Sequence, residues 1–302
     1  LKYDIYGSTA SGVMLFGISI LYGLTGTTNL YEMNAILQSA QVGGFTFIFA
    51  GVLVLGGIGF KISIAPFHFW TPDVYEGAPI AITAYLSVAS KAAGFALLIR
   101  FIKVTFFQSL APDGSWVMLG IIDWQRLLIV LAILTMTLGN FAALWQDNIK
   151  RMLAYSSIAH AGYLLLAVAI FSNDGIIAVL VYFGIYLFMN LGAFFVVMLI
   201  ANKIGSEEMD DYKGMGSTTG FLGVALSIFL LSLAGLPPTA GFIGKLYIFI
   251  ALINADMIVV AFITLLNTVV AYYYYVRVLK NLYLVRTETS REKIQVSFGN
   301  VI

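Results

Sequence analysis

The stretch Thr219–Ala251, TGFLGVALSIFLLSLAGLPPTAGFIGKLYIFIA, decides the fold class of this chain. It is apolar and longer than the roughly 20 residues that a helix needs to cross about 30 Å of hydrocarbon. Pro237 and Pro238 interrupt it near the middle, and Lys245 follows in its second half. Proline breaks an α-helix and frees carbonyl groups of the preceding turn. In lipid such groups need partners from neighbouring helices or water, so the pattern predicts a discontinuous membrane helix that lines a cavity.

The composition agrees with a chain that lies in a bilayer. Of the 302 residues, 60% are hydrophobic and 10% are charged, and the mean hydropathy is +0.94. A soluble domain carries about 25% charged residues, and the apolar runs are too long for the strands of a membrane barrel. A net charge of +1 gives no support for a nucleic-acid partner. The chain has no cysteine for a thiolate or iron–sulfur site, and its two histidines are too distant in sequence to favour a metal site.

The apolar runs predict eight helical spans with uneven charge in their connections. The spans fall near 5–24, 42–66, 79–107, 122–145, 151–171, 175–201, 219–251 and 256–282. If the spans alternate, most basic residues of the connections lie on one side, namely Lys2, Lys150, Arg151, Lys203, Lys213, Lys280, Arg286, Arg291 and Lys293. The positive-inside rule then places Leu1, the loop 68–78 and the C-terminus in the cytoplasm. Because the chain begins at Leu1 without a signal-peptide pattern, we interpret it as part of a longer protein.

Three lysines lie well inside apolar stretches. Lys61 precedes a second interrupting proline, Pro66, Lys91 lies within the third predicted span, and Lys245 follows the proline pair. A lysine near the middle of a bilayer costs about 2.5–3.5 kcal/mol on insertion scales. Burial favours the neutral form of an amine, so a buried lysine can take up and release protons near neutral pH. Each proline break alone could be a kink that improves packing, but the nearby lysines favour sites of proton exchange.

Polar side chains recur at helical spacing on three predicted spans. The three faces are Thr83, Ser87 and Lys91, with Ser90 adjacent; Ser156, His160 and Tyr163; and Tyr182, Tyr186 and Asn190. Side chains three and four residues apart share one face of a helix. Any single face can be explained by hydrogen bonds between membrane helices. Three such faces together with buried lysines favour a hydrated polar seam.

The remaining polar residues allow two interpretations each. His160, in mid-span, either relays protons or is a neutral histidine bonded to a carbonyl. His68 lies close to Trp70 at a predicted membrane boundary and is either a relay or an interfacial anchor. We expect Lys103, Lys150 and Arg151 to snorkel or to set topology, and the run Tyr272–Tyr275 to serve packing and the interface. No acidic residue lies in mid-span, so a counter-charge for the lysines has to come from outside this chain.

Three segments resemble the N-type subunit of proton-pumping NADH–quinone oxidoreductase, respiratory complex I. They are Gly59–Pro79 (GFKISIAPFHFWTPDVYEGAP), Asn148–Tyr163 (NIKRMLAYSSIAHAGY) and Leu233–Lys245 (LAGLPPTAGFIGK). The resemblance covers almost the whole chain. The run from Trp70 to Pro79 is specific to the N type, because the related L and M subunits and the Mrp antiporter subunits vary it.

The resemblance implies an all-α polytopic membrane protein with the antiporter-like fold, which has fourteen helices in two inverted repeats of five. Eight transmembrane helices, two of them discontinuous, would belong to this chain as helices six to thirteen. The chain would be one membrane domain over 1–302. The end of the first repeat would lie in 1–108, the second repeat in 109–285, and a cytoplasmic connecting segment in 286–302.

The resemblance also implies roles for individual residues. Lys61, Lys91 and Lys245 match the proton-carrying lysines of the family, and Pro66, Pro237 and Pro238 match its helix breaks. Tyr155 and His160 match polar residues on the proton path, to which we add His68, Ser87 and Ser90 as candidates. Lys2 matches a lysine at the start of helix six. The acidic partner of Lys61 would lie on helix five, which this chain does not include.

The resemblance implies no redox chemistry, cofactor or metal on this chain. NADH, FMN, iron–sulfur clusters and quinone would be bound by partner subunits, and the other membrane subunits of complex I would be its neighbours in a bacterial inner membrane. Two other functions stay open at this point. One is a subunit of an Mrp-type cation/proton antiporter, against which the Trp70–Pro79 run argues, and the other is a passive membrane scaffold.

Overall fold

The computed structural model describes residues 1–39, 44–119 and 123–285, which are mainly helical. The helices are α1 Lys2–Thr25, α2 Leu30–Ser39, α3 Gly44–Ile62, α4 Trp70–Gly77, α5 Ile80–Tyr85, α6 Lys91–Thr105, α7 Trp124–Leu144, α8 Ile149–Ala169, α9 Asn173–Ile204, α10 Gly216–Thr219, α11 Phe221–Ala234, α12 Ala240–Asn254 and α13 Ile258–Tyr283. A π-helical turn, Leu86–Ser90, joins α5 and α6 into one rod. The predicted connecting segment 286–302, with Arg286, Arg291 and Lys293, lies outside the described residues.

The predicted all-α membrane fold with eight spans and two discontinuous helices is confirmed. Within the described ranges, seven helices are long and apolar enough to cross a membrane, if the rod Ile80–Thr105 is counted once. The apolar helices α11 and α12 are shorter and meet at the break 235–239, so together they form the eighth span. The other discontinuous helix consists of α3 and α4. Its first half ends at Ile62, before Pro66, because Ser63 adopts the left-handed conformation with φ 62°.

Two elements in the predicted connections were not expected. Helix α2 lies between the first two spans, and its Asn34 amide donates to the carbonyls of Thr105 and Phe107. A short antiparallel hairpin, β1 Phe107–Leu110 and β2 Trp116–Met118, follows the third span. Lys103 lies over the ring of Trp116, with 4.6 Å between Nζ and the ring centroid, which places its ammonium at the end of the span.

Short polar side chains and glycines set several helix ends. The side chains of Asp123, Asn148 and Ser172 accept hydrogen bonds from backbone amides at the starts of α7, α8 and α9. Gly26 and Gly205 end α1 and α9 in the left-handed conformation, which glycine adopts without a steric penalty. The turn residues that separate the predicted spans therefore also satisfy the exposed backbone groups of the helix ends.

An ionic clamp joins α1, α4 and α8 at one end of the bundle. Arg151 contacts Asp73 at 2.8 Å and Glu76 at 2.5 Å, and Lys2 also pairs with Asp73. The hydrogen bond from Lys2, together with Arg151, holds the pKa of Asp73 below its usual value. Arg151 was expected to snorkel or to set topology, and in the structure the carboxylates of α4 bind its guanidinium. The start of α1, the predicted loop 68–78, which contains α4, and the start of α8 share one end, as alternating spans require.

A second ion pair next to the clamp corrects the interpretation of Lys150. This side chain is 4% exposed and contacts Glu207 at 2.8 Å. Its Nζ also donates to the carbonyl of Ala78 at 3.0 Å. The carboxylate and the carbonyl replace water around the ammonium, so the lysine is buried instead of snorkelling. Which side of the membrane this end of the bundle faces stays a prediction.

Helix α8 lies at the centre of the bundle, and small residues bring α7 against it. A Cβ on Gly139 would lie 2.7 Å from the backbone nitrogen of Ala159, and one on Gly162 would lie 2.6 Å from that of Met136. Small residues allow such close approach of membrane helices. Nearly every residue of α8 is buried, including its serines and its histidine, so its polar groups have to find partners on neighbouring helices.

Replacement of Gly162 by alanine is expected to destabilise the protein by about 1–3 kcal/mol, because the added methyl overpacks the contact between α7 and α8. The measurement is the thermal unfolding midpoint of the full-length subunit in detergent. Gly184→Ala on α9 is the matched control, since a Cβ there meets nothing within 4 Å. Equal midpoints for the two variants would contradict this packing.

Candidate functional site

Lys91 is buried, and its partners lie on α8. Only 1% of the residue is exposed, and Nζ donates at 2.7 Å to both the carbonyl and the hydroxyl of Ser157. The Tyr186 hydroxyl contacts the same Ser157 oxygen at 2.9 Å. The π-helical turn Leu86–Ser90 ends just before Lys91. Such turns are frequent at functional sites, and nothing in the sequence analysis predicted this one.

Lys245 is bound by the helix break that was predicted next to it. It is 5% exposed, and its Nζ donates to the carbonyl of Ala234 at 2.7 Å. Ala234 is the last residue of α11, and its carbonyl is one of those that the proline pair frees. The C-terminal end of a helix carries a partial negative charge that favours a cation. The ring of Tyr163 faces the same ammonium, with 5.1 Å between Nζ and the ring centroid.

Gly235 makes room for Lys245 at the break. It ends α11 in the left-handed conformation with φ 83°. A Cβ at this position would lie 2.8 Å from Cδ of Lys245 and 3.2 Å from its Nζ. The backbone conformation and the close approach both require glycine here.

His160 lies between Tyr186, which contacts the partner of Lys91, and Tyr163, which faces Lys245. Its Nδ1 contacts the Tyr182 hydroxyl at 2.5 Å, and its Nε2 contacts the Tyr275 hydroxyl at 3.2 Å. Its ring centroid lies 5.1 Å from that of Tyr186 and 5.9 Å from that of Tyr163. Of the two interpretations of His160, the histidine bonded to a carbonyl is not observed, because two hydroxyls bind the ring.

These residues form one connected group, which we call the central polar cluster. Its members are Lys91, Ser156, Ser157, His160, Tyr163, Tyr182, Tyr186, Lys245 and Tyr275. Hydrogen bonds join Lys91 to Ser157 and Tyr186 in one set and His160 to its hydroxyl partners in another, and ring contacts of His160 with Tyr186 and Tyr163 link the sets and Lys245. The three polar faces predicted from helical spacing therefore meet one another around α8. Asn190 adds a contact between two of these faces, since its amide donates to the Ser87 hydroxyl at 2.7 Å. Neither lysine of the cluster forms an ion pair with a carboxylate in the described part of the chain.

A second polar group continues from Tyr163 towards α7 and α13. The Asn140 amide donates to the Tyr163 hydroxyl at 3.1 Å and to Oδ1 of Asn267 at 3.2 Å. The Tyr274 hydroxyl donates to Oδ1 of Asn140 at 3.0 Å. All four residues are buried. This extension was not predicted, because a single asparagine in an apolar span gives no periodic signal.

Lys61 does not lie where the sequence led us to expect. Its side chain is exposed on the described part of the chain, in a groove of about 620 Å³ between α1, α3 and α6. The residues of α1 that face it include Gly7 and Ser11, which are too small to cover the amine. The expected burial of this lysine within the chain was therefore wrong. No described hydrogen bond joins it to the central polar cluster.

The other candidates lie at the margin of the cluster or outside it. His68 is 8% exposed and stacks on Phe69, and its Nδ1 has no hydrogen-bond partner among the described residues. Tyr155 is half-buried on α8, and Ser90 is buried next to Lys91 in the chain. Trp70 caps the first helix break, since its Nε1 donates to the Phe60 carbonyl at 3.0 Å. The proposed roles of these residues in proton transfer stay predictions.

Two cluster residues were missed or misjudged from the sequence. Ser157 was not singled out, although it lies three residues before His160 and so shares its face. Tyr275 was expected to serve packing, but it is buried and its hydroxyl contacts both His160 and Ser156. A run of four tyrosines has no periodicity that would show which of them faces the interior. In the described ranges, no group of three histidine, aspartate or glutamate side chains could hold a metal ion.

Replacement of Gly235 by alanine is expected to displace Lys245 from the Ala234 carbonyl. The left-handed conformation costs a non-glycine residue about 1–2 kcal/mol, and the new Cβ collides with the lysine side chain. Amide hydrogen exchange at the start of α12 should become faster. Gly26→Ala is the matched control, because Gly26 has φ 69° and open space around it. Similar exchange at α12 in both variants would show that the lysine contact does not hold the break together.

The family model described as NADH:quinone oxidoreductase/Mrp antiporter, TM matches residues 1–271 of this chain. NADH-quinone oxidoreductase subunit N 2 of Chloroherpeton thalassium is 52% identical over 294 residues, which are 97% of this chain and 57% of the relative. The chain thus spans little more than half the length of the curated relatives it matches.

Two solved structures share the fold. One is respiratory complex I from Thermus thermophilus with bound aureothin, with a TM-score of 0.75, 33% identity, and coverage of 98% of this chain and 61% of that one. The other is the Mrp complex from Dietzia, with a TM-score of 0.83, 24% identity, and coverage of 97% and 52%. The similarity to N-type subunits inferred from the sequence is confirmed, and the chain belongs to the NADH:quinone oxidoreductase/Mrp antiporter family of membrane proteins.

Proposed function

We propose that this chain is part of a proton-translocating membrane subunit of an NADH–quinone oxidoreductase. The observation that carries the proposal is the central polar cluster, in which hydroxyl and imidazole groups lie between two buried lysines that have no described carboxylate partner. Proton transfer requires groups that can both accept and donate, spaced at hydrogen-bond distances. Ser157 and Tyr186 meet that requirement next to Lys91, and His160 and Tyr275 meet it in a second set, which ring contacts of His160 join to the first.

The neutral surroundings of the two lysines suit proton exchange. A buried ammonium without a counter-ion is stabilised only by dipoles, here those of Ser157 and of the C-terminal end of α11. Its proton affinity therefore responds to other charges nearby. Two like charges about 10 Å apart repel each other by roughly 1.7 kcal/mol at an effective dielectric of about 20. A tenfold change in proton affinity corresponds to about 1.4 kcal/mol. The repulsion exceeds that energy, so a change of charge at one site can change whether the next site is protonated.

The driving reaction takes place elsewhere in this proposal. NADH, FMN, iron–sulfur clusters and quinone are bound by partner subunits, and quinone reduction there changes the charge felt by the lysines. Lys61 exchanges protons at the groove between α1, α3 and α6, where its acidic partner comes from a segment outside this chain. His68, Ser87, Ser90 and Tyr155 line the approach to the cluster. The protein works in a bacterial inner membrane next to other membrane subunits of the complex.

A cation/proton antiporter subunit of the Mrp type is the second candidate. The similarity to the Dietzia structure, at 24% identity, supports the fold alone. The relatives at about half identity carry the name NADH-quinone oxidoreductase subunit N, which favours the first candidate. A passive scaffold, the third possibility, requires no buried lysine and gives no reason for the hydroxyl contacts of Lys91.

Lys91→Ala and Lys245→Ala, made separately in the full-length subunit, are each expected to abolish most proton uptake while the complex still assembles. The physical reason is that each change removes the amine that carries the proton. The measurement is proton uptake per NADH oxidised in proteoliposomes that contain a pH-sensitive dye. Lys203→Ala is the matched control, because this lysine is exposed at the end of α9.

Three outcomes separate the candidate functions. Unchanged proton uptake in both variants, with the complex assembled, would support the scaffold and sink the proposal. Sodium uptake coupled to proton release, without dependence on NADH, would favour the antiporter. Loss of proton uptake that depends on NADH supports the oxidoreductase subunit.

A further inference from the structure

The two buried lysines have chemically different partners. Lys245 donates to the Ala234 carbonyl, which accepts a hydrogen bond but has no proton to pass on. Lys91 donates to a carbonyl and also to the hydroxyl of Ser157. A hydroxyl can accept one hydrogen bond and donate another at the same time. Of these two contacts, only that of Lys91 therefore offers a directly bonded group that can exchange a proton with the amine.

Ser157 is placed for this exchange by three contacts. Its carbonyl binds one N–H of Lys91 at 2.7 Å and so fixes the amine, while its Oγ lies 2.7 Å from the same nitrogen. The Tyr186 hydroxyl donates a hydrogen bond to the same Oγ at 2.9 Å. Resting on the proposed function, we infer that Ser157 gives its hydroxyl proton to the neutral amine of Lys91 and takes a proton from Tyr186.

The exchange balances with one hydronium ion as the proton source. The O–H bond of Ser157 breaks as an N–H bond forms on the neutral Lys91 amine, and the hydroxyl proton of Tyr186 moves to the Ser157 oxygen. Tyr186 takes a proton from the hydronium ion. The products are an ammonium group, two neutral hydroxyl groups and a water molecule, so no ionised serine or tyrosine accumulates.

Two buried polar atoms, one turn from Tyr186 and next to Lys91 in the chain, have no described partner. Asn190 follows Tyr186 by one turn of α9 and is fully buried. Its amide donates to Ser87, but its Oδ1 has no hydrogen-bond partner among the described residues. The buried hydroxyl of Ser90, next to Lys91 in the chain, also has none within the described ranges. Buried waters bind where such atoms would otherwise be left without partners.

The test uses the full-length subunit in the assembled complex, reconstituted in proteoliposomes. Proton uptake and NADH oxidation are measured for Ser157→Ala, Ser157→Cys and Ser157→Thr. Alanine has no hydroxyl, and a thiol is a weak donor and acceptor that fills a similar volume. Threonine keeps the hydroxyl. Thr264→Ala is the matched control, because it removes a buried hydroxyl bonded to the Val260 carbonyl of its own helix.

We expect Ser157→Ala and Ser157→Cys to slow proton uptake about tenfold or more, because a positioned proton-transfer group contributes at least that much. Ser157→Thr should recover most of the rate, and Thr264→Ala should match the unaltered protein. If the alanine variant does not assemble, the rate of proton uptake in the cysteine variant tests the inference. Recovery by threonine but not by cysteine indicates proton transfer. If Ser157 only filled space, cysteine would restore the rate as well as threonine does.

Lys91→Ala in the same series separates this inference from the proposed function. If Lys91→Ala abolishes proton uptake while Ser157→Ala and Ser157→Cys pump normally, Ser157 does not carry the proton and the proposed function stands. If Lys91→Ala itself pumps normally, the proposed function fails. Slow uptake in both Ser157→Cys and Ser157→Thr would show that Ser157 acts by packing, which also overturns the inference.

Discussion

The absence of water from the bilayer interior is the constraint on which this structure depends. Each polar group that enters the hydrocarbon region has to find its partner inside the protein. Helix α8 meets the constraint most fully, because it is buried on all sides and carries two serines and a histidine. Its hydroxyls and imidazole bind tyrosines of α9 and α13 and the amine of Lys91. The requirement to satisfy these groups thus assembles the central polar cluster inside an apolar bundle.

The same constraint explains the two interrupted helices. At each of the two breaks, a side chain that follows the break in sequence donates to a backbone carbonyl at the end of the preceding helix; at the first break that carbonyl also accepts from the Ser63 amide. The Trp70 indole caps the Phe60 carbonyl at the first break, and the Lys245 ammonium caps the Ala234 carbonyl at the second. Gly235 permits the second contact by leaving the space that the lysine stem occupies. Backbone geometry and side-chain chemistry are therefore matched at each break.

The sequence predicts the parts of this arrangement that depend on local pattern. Apolar length predicts the eight spans, proline predicts the breaks, and spacings of three and four predict the polar faces of α8 and α9. Spacing cannot tell which helix lies opposite a given face, so the contact between Lys91 and Ser157 was not foreseen. For the same reason Tyr275 was assigned to packing and Lys61 to the interior. These positions depend on how α1, α3, α6 and α13 pack, which no local pattern encodes.

The difference between the two caps has a mechanical consequence. An indole N–H stays protonated throughout the physiological pH range. The hydrogen bond from Trp70 to Phe60 between α4 and α3 therefore does not depend on proton transfer elsewhere in the protein. A lysine that gives up its proton loses the charge-assisted part of its bond to the carbonyl. Under the proposed function, the contact between α11 and α12 therefore depends on the charge of Lys245, whereas the indole contact between α3 and α4 does not change with protonation.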